Sequence, residues 1–466
     1  MIFHRVKIDN IVMPGLKKYI ARFINYAEII GIVVTIILLP IDRLPYLHVI
    51  PLNLGLLSLL LLSVATVARL WQVVTSRRLN DLRFYFLIGT VLVLPVFGYL
   101  FSSLFAIDRP FALHATLILA AVTLRAFCFF VLLKETPALW NIMKKTIYAV
   151  TGVVVFFGLF QFFLDVWGAS TAVTDLKNCC TSNSTYVFPR VHSTALEPLY
   201  FDHFLMIPIW LLTFDFWRNK SSRNNKKLVV LFLAVTVLFI LTIARSATVG
   251  LIIASIIFCV AAWNKEKFRS FIGYMTKLWL LAIIVAAALI IMSGVASLFI
   301  DKTAQYEGRG VNSLSLFGSH AVDFNDGSSQ TRYSLWPKSI AYFKESPLVG
   351  VGPDNSRIKL DLDNYNSGVD PAKLQPFNND LIGLVVDTGI VGILSFLPLL
   401  ITLLYGIYRQ FRNSWSHAYA AFTLILIGML VQSNFFHSLL LTRTWFVIGI
   451  FLIVATDFGK KKRKLS

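Results

Sequence analysis

Three arginines, Arg190, Arg245 and Arg332, stand out in a chain built mostly of long apolar runs. Arg190 leads a short segment that carries His192, Ser193, Glu197 and Pro198 and ends at the start of an apolar run. Arg245, in the stretch Thr242 to Ser246, interrupts two apolar runs so briefly that it must sit at the lip between two helices. Arg332 opens the patterned part of a long polar stretch. A guanidinium is planar, holds its charge at every relevant pH and meets phosphate with two parallel hydrogen bonds. Several of them converging would bind a diphosphate; taken singly, each also reads as an interfacial arginine paired with lipid headgroups.

Other polar residues near the ends of apolar runs are candidates for ion or proton chemistry. Asp202 and His203 read as a solvated helix end, with ion ligation or a proton relay as the alternative. Arg125 lies ~13 Å from one end of its run at 1.5 Å per residue. It reads as an arginine snorkelling to that end, with a buried functional charge as the alternative. Gly350 to Asn355 spell GVGPDN, which lacks the glycine spacing of a dinucleotide loop and the Lys-Ser/Thr of a P-loop. HExxH and G-x-S-x-G patterns are also missing from the sequence. Cys128 and Cys259 fall in apolar runs and read as packed thiols, while the adjacent Cys179 and Cys180 read as a vicinal disulfide, two thiols or an intermolecular bond.

The elements that must position these residues follow from composition. With 57% hydrophobic and 14% charged residues in 466, and a mean hydropathy of +0.71, the chain is too apolar for a soluble globule. Twelve apolar runs, near 22–39, 49–68, 84–106, 112–133, 146–164, 199–216, 228–244, 246–263, 277–298, 379–407, 418–436 and 441–457, approach the length a bilayer requires. Their continuous Leu/Ile/Val/Phe content predicts helices rather than alternating strands. No removable signal segment is expected ahead of the first. The expected fold is an all-α integral membrane protein of about twelve transmembrane helices with one large external loop. Residues 1–298 would hold the first nine helices and an external loop at 165–198, 299–377 the large loop, and 378–466 the last three helices and a basic tail.

The net charge of +19 would point to nucleic acid in a soluble protein, but its distribution points elsewhere. Of the 43 Lys and Arg, 28 fall on one side if the N-terminus is cytoplasmic and six in the short connections of the other side; eight lie in the long loop and Arg125 lies within a run. The positive-inside rule therefore places both termini in the cytoplasm and the long loop outside. The tail Lys460 to Lys464 reads as an anchor on anionic lipid, not as a nucleic-acid site. Within the loop, Tyr333, Trp336, Ile340 and Phe343, at spacings of 3, 4 and 3, predict an amphipathic helix over 330–345 that lies on lipid or covers a cavity. Pro347 stops it, Gly350 and Gly352 mark a turn, and 301–329 read as irregular.

Arg332 to Gly352, with Trp336, Pro347 and the GVG at Gly350 to Gly352, resembles the O-antigen ligase and O-antigen polymerase superfamily. So do Asn379-Asp380-Leu381, the segment Asp387 to Gly392, Arg245 in LTIARSATVG, and Arg190 with His192 and Glu197-Pro198. The resemblance implies a C-type membrane glycosyltransferase of surface polysaccharide or lipopolysaccharide. Glycan would pass from an undecaprenyl-diphosphate donor to a glycan or lipid acceptor on the outer face of the bacterial cytoplasmic membrane, by inversion and without metal or cofactor. Arg190 and Arg245 would hold the diphosphate, and Arg332 would position the loop or share that task. Glu197, His192 and His320 are the candidate bases; Asn378 and Asn379 stand where ligases carry a His-Asn pair, and an amide does not titrate. Polymerisation of a lipid-linked repeat thereby edges ahead of ligation. The rival reading is a transporter or flippase for a lipid-linked or anionic solute, whose polar groups should gather at mid-membrane.

Overall fold

The structure, a computed structural model, describes residues 14–41, 49–167, 191–195, 197–263, 268–299, 327–412 and 420–456. Among these there is no strand. Twelve apolar helices occupy the positions of the twelve predicted runs: α1 Pro14–Leu38, α2 Val49–Thr75, α3 Leu79–Ser103, α4 Arg109–Glu135, α5 Leu139–Val166, α6 Pro198–Arg218, α7 Lys226–Leu241, α8 Arg245–Ala262, α9 Phe268–Phe299, then α11 Asp380–Arg412, α12 Ala420–Gln432 and α13 Thr442–Thr456. Between α9 and α11 lies α10, Gly327–Glu345. Among the described residues nine helices are long and apolar enough to cross a membrane, and α7, α12 and α13 are shorter.

Their amphipathicity explains their places. Along α6, 83% of the apolar window is buried, and 67% along α4, against 22–39% for the other seven long helices. A helix covered all round belongs at the centre, and one covered on a single face belongs at the lipid boundary. Close approach is made at small residues, as is usual between membrane helices. A Cβ on Gly250 of α8 would meet Gly428 O of α12 at 2.6 Å, and one on Gly449 of α13 would meet Ala126 O of α4 at 2.5 Å.

Contacts among helix ends define one end of the bundle, here the loop end. Ser102 at the end of α3 bonds Val349 O, Ile107 N bonds Val351 O, and Asp380 N bonds Ser433 O. The ends of α1 and α12 and the starts of α4, α6, α8, α11 and α13 gather there.

Two expectations change. Arg125 does not snorkel toward the far end: it is 8% exposed and donates to Thr442 Oγ1 and Gly55 O, both at 2.9 Å. Helical side chains lean toward the N-terminus of their own helix, and for α4 that is the loop end. Asp202 and His203 are not a solvated helix end; both are fully buried. In α10 the face packed on the protein is Leu335, Ser339 and Tyr342, while Trp336 and Ile340 of the predicted stripe are each 55% exposed. The Tyr333 side chain lies outside the described residues, as do residues 301–326.

Candidate active site

The loop is fixed to the bundle by a break in α11. Gly389 has φ 58° and ψ −154°, a conformation essentially restricted to glycine, and it interrupts the helical hydrogen bonds around it. The interruption frees the amides of Ile390 and Val391 and the carbonyls of Val386 and Asp387. Residues 347–352 take up all four: Ile390 N donates to Pro347 O (2.9 Å) and Val391 N to Leu348 O (3.0 Å), while Val351 N donates to Val386 O (3.0 Å) and Gly352 N to Asp387 O (2.8 Å). Backbone this close leaves no room for side chains, since a Cβ on Gly350 would stand 2.4 Å from Asp387 O. The GVG turn is therefore a backbone wedge and not a phosphate cradle. Asn355 completes the seat by accepting from Asp108 N at 2.7 Å, and Ser356 N donates to Asp387 Oδ1 at 2.8 Å. Tyr365 donates to Asp108 Oδ2 at 3.1 Å, and that bond, with a smaller contribution from burial, raises its phenol above the usual range.

A second irregular segment lies deeper. Residues 191–195 run against α5, where Ser193 Oγ donates to Val154 O at 2.7 Å and Gln161 exchanges two bonds with the Ser193 backbone, at 2.9 and 3.1 Å. Val154 lies twelve residues before the end of α5, ~18 Å at the helical rise. Irregular backbone at that depth must be satisfied by protein. Gln161 and the α5 carbonyl satisfy Ser193, and Thr194 Oγ1 bonds Pro40 O at 2.9 Å. His192 is buried, with Nδ1 2.9 Å from Ala195 O. Glu197 is partly exposed and supplies the extended residue that opens α6, so its backbone turns the chain and its side chain does not cap the helix.

The predicted arginines divide accordingly. Arg245 is the first residue of α8, after a turn in which Ile243 takes φ 53° and Thr242 bonds Asp202 Oδ2 at 2.5 Å. It stands at the edge of a cavity of about 1270 Å³, otherwise mostly apolar, with Trp210, Phe239, Ile243, Ile252 and Trp279 among its walls. Arg190 and His320 lie outside the described residues, as do Cys179 and Cys180. Arg332 lies on the first turns of α10, and its side chain is outside the described residues. Asn379 is structural: its Oδ1 accepts Ile382 N at 3.0 Å in the first turn of α11 and its Nδ2 donates to Asn434 O at 2.9 Å. Asn378, one residue earlier, is partly exposed.

Two polar residues at this end, Arg443 and His437, were not singled out from sequence, and they lie beside His203, which was. Arg443, 2% exposed, opens α13, donates to Leu39 O at 3.2 Å and lies 5.4 Å from the Tyr200 ring. His203 stands 3.1 Å from Gln432 Oε1 and 3.2 Å from Thr444 Oγ1, which joins α6, α12 and α13. Beside them Phe436 meets Tyr200 and His203 edge to face, at 5.0 and 5.1 Å. The next residue, His437, lies between two carboxylates, 3.6 Å from Asp380 Oδ1 and 4.0 Å from Asp354 Oδ1. An isolated arginine or histidine between apolar runs carried no pattern that would have selected it.

Helices of this length and burial, with an extramembrane segment wedged into one end, define a polytopic membrane protein whose polar residues converge at that end. Residues 228–397 match the family model described as O-antigen ligase, which supports placing the chain in the O-antigen ligase and polymerase superfamily. The matched segment runs from α7 through the loop and past the break in α11, so it contains Arg245 and the whole wedge. No curated protein matches the chain. The apolar helices among the described residues are those of a multi-pass membrane protein, and over residues 228–397 the chain is similar to the O-antigen ligase family.

Proposed function

We propose that this protein transfers glycan from an undecaprenyl-diphosphate donor to an acceptor hydroxyl on the outer face of the cytoplasmic membrane, and that the reaction takes place at the loop end of the bundle. The observation that carries the reading is Arg245 at the edge of the 1270 Å³ cavity. A long isoprenoid needs an apolar channel open to lipid, and its diphosphate needs a fixed cation where the channel meets water. Arg245 also begins α8, so the helix dipole adds to its attraction for anions. In the transfer, the acceptor oxygen attacks the anomeric carbon, the bond to the diphosphate breaks, and the departing lipid diphosphate keeps the electron pair. A preorganised guanidinium stabilises that charge as it develops. Arg190 and Arg332 would share the diphosphate, and inversion follows from a single displacement without metal.

The uneven distribution of Lys and Arg supports putting the loop end outside. Extension of a lipid-linked repeat is favoured over ligation because Asn378 stands where the ligase pattern places a histidine. Against a transporter, the carbonyls freed at the break in α11 are occupied by the amides of Val351 and Gly352 and do not line an ion site.

The test is reconstitution of the full chain in proteoliposomes with a lipid-diphosphate-linked repeat unit. Appearance of longer lipid-linked chains is the expected result. Capture of the glycan only by an added lipid acceptor would make it a ligase, and no transfer to either would overturn the reading.

A further inference from the structure

The described residues contain one histidine held between two carboxylates at the loop end, and none of the sequence features assigned a role to it. His437 sits in the turn between α12 and α13. Its Nδ1 is 3.6 Å from Asp380 Oδ1, and its Nε2 is 4.0 Å from Asp354 Oδ1. Nε2 is shielded from solvent and has no hydrogen-bond partner among the described residues. A buried polar atom left open in a well-bonded surrounding calls for an explanation such as a bound group or a chemical role.

That surrounding is well bonded. Asp380 accepts Ser438 N at 2.9 Å, Ser438 Oγ at 2.5 Å and Leu439 N at 3.1 Å, so the carboxylate facing Nδ1 is fixed to the turn that carries the imidazole. Trp445 Nε1 and Thr444 Oγ1 pin the Leu439 and Ser438 carbonyls at 2.6 and 3.0 Å. Across the ring, Asp354 has φ 59° and is held by Arg357 at 2.6 and 3.0 Å, which offsets its charge. Arg357 is itself tied to Leu374 O at 3.4 Å. Among the described residues Asp354 and Asp380 are the charged groups that face the imidazole, with Arg357 behind Asp354; Asp354 and Arg357 belong to the loop wedged into α11.

The position relative to Arg245 also fits. α8 and α12 touch at Gly250 and Gly428, five residues into one helix and four before the end of the other, so Arg245 and the turn after Gln432 lie at similar height on neighbouring helices. Phe436, against Tyr200 and His203, brings His437 to the same end. The other histidines with described side chains are placed differently. His192 turns Nδ1 to a backbone carbonyl, His203 is fully buried with both nitrogens facing side-chain oxygens, and His114 is exposed on α4.

We propose that His437 is the general base of the transfer, with Nε2 accepting the acceptor hydroxyl's proton and Asp380 orienting the ring through Nδ1. The inference rests on the glycosyl-transfer reading given above. The acceptor O–H bond breaks as its oxygen joins the anomeric carbon; the proton passes to Nε2, and the lipid diphosphate leaves with the electrons of the broken C–O bond. Asp380 is a positioning residue here, because it acts through the imidazole.

The experiment is the proteoliposome assay with a lipid-diphosphate-linked repeat unit, comparing wild type with His437→Gln, His437→Ala and Asp380→Asn. Wild-type transfer is the control: its failure overturns the underlying reading and not the choice of base. With wild type active, H437Q should lose about 10²- to 10⁴-fold in kcat with the donor KM held within about threefold. H437A should regain activity with added imidazole. The pH profile of kcat should carry an acid-side limb in wild type that is displaced in D380N and absent in H437Q. An H437Q protein within about threefold of wild type, with the acid limb intact, would overturn the proposal. Should H437Q melt below the assay temperature, the wild-type profile decides alone, a flat acid side being the contrary result.

Discussion

The amide of Gly352 donates to the carbonyl of Asp387 at 2.8 Å, closing part of the gap that Gly389 opens in α11. The loop and the membrane helix thus share one hydrogen-bond ladder, and whatever positions Asp354 and Arg357 also positions α11.

Adding a methyl group to this ladder should break it. In Gly350→Ala the new Cβ would meet Asp387 C and O at 2.4 Å, in a residue with φ 69°. The left-handed conformation alone costs about 1–3 kcal/mol for a residue with a side chain, and the clash adds to it. The expected outcome is a lower melting temperature in detergent and new protease cleavage in the loop. A melting curve matching wild type would show that the wedge is not held as described.

Gln161 should behave as a structural residue despite lying in an apolar helix. Gln161→Leu keeps the volume but orphans both backbone groups of Ser193, at about 1–3 kcal/mol for each buried group left unsatisfied. A clear loss of thermal stability is expected, larger than for a Leu substitution at the neighbouring exposed Phe160.

Arg125 gives the opposite expectation. It is buried with only a hydroxyl and a carbonyl as partners, and no carboxylate contacts it among the described residues. Replacing a buried charge with an apolar side chain of similar length is often neutral or stabilising. Arg125→Met should fold with unchanged or raised melting temperature and retain transfer; loss of transfer with the fold intact would give Arg125 a chemical role instead.

Arg245→Lys keeps the charge and loses the planar fork. If the fork binds diphosphate, transfer should fall by at least about 10²-fold while the protein stays folded. Activity near wild type in a quantitative assay would remove Arg245 from the site.

These residues also show what a single sequence can reveal. The twelve helices were legible because apolar runs of that length have few alternatives, and the GVG turn because Pro347 stops the preceding helix and two closely spaced glycines favour a turn. The break at Gly389 was not legible, since glycine is common in membrane helices and only the partner segment at 347–352 makes this one a hinge. Burial of Asp202 and His203 depended on Thr242, Gln432 and Thr444, which approach from three other segments. The stripe at Trp336 and Ile340 was correctly apolar, but periodicity alone cannot say whether an apolar face meets protein or lipid. His437 was invisible for a related reason: its two carboxylates lie 57 and 83 positions away in the sequence.

The central claim is that a lipid diphosphate binds with its charge at Arg245 and its chain in the neighbouring cavity. The direct measurement is a structure of the full chain in nanodiscs with undecaprenyl diphosphate. The account predicts density for the diphosphate touching the Arg245 guanidinium and for the isoprenoid between α6, α7, α8 and α9. A diphosphate bound elsewhere, with ordinary phospholipid in that cavity, would contradict it.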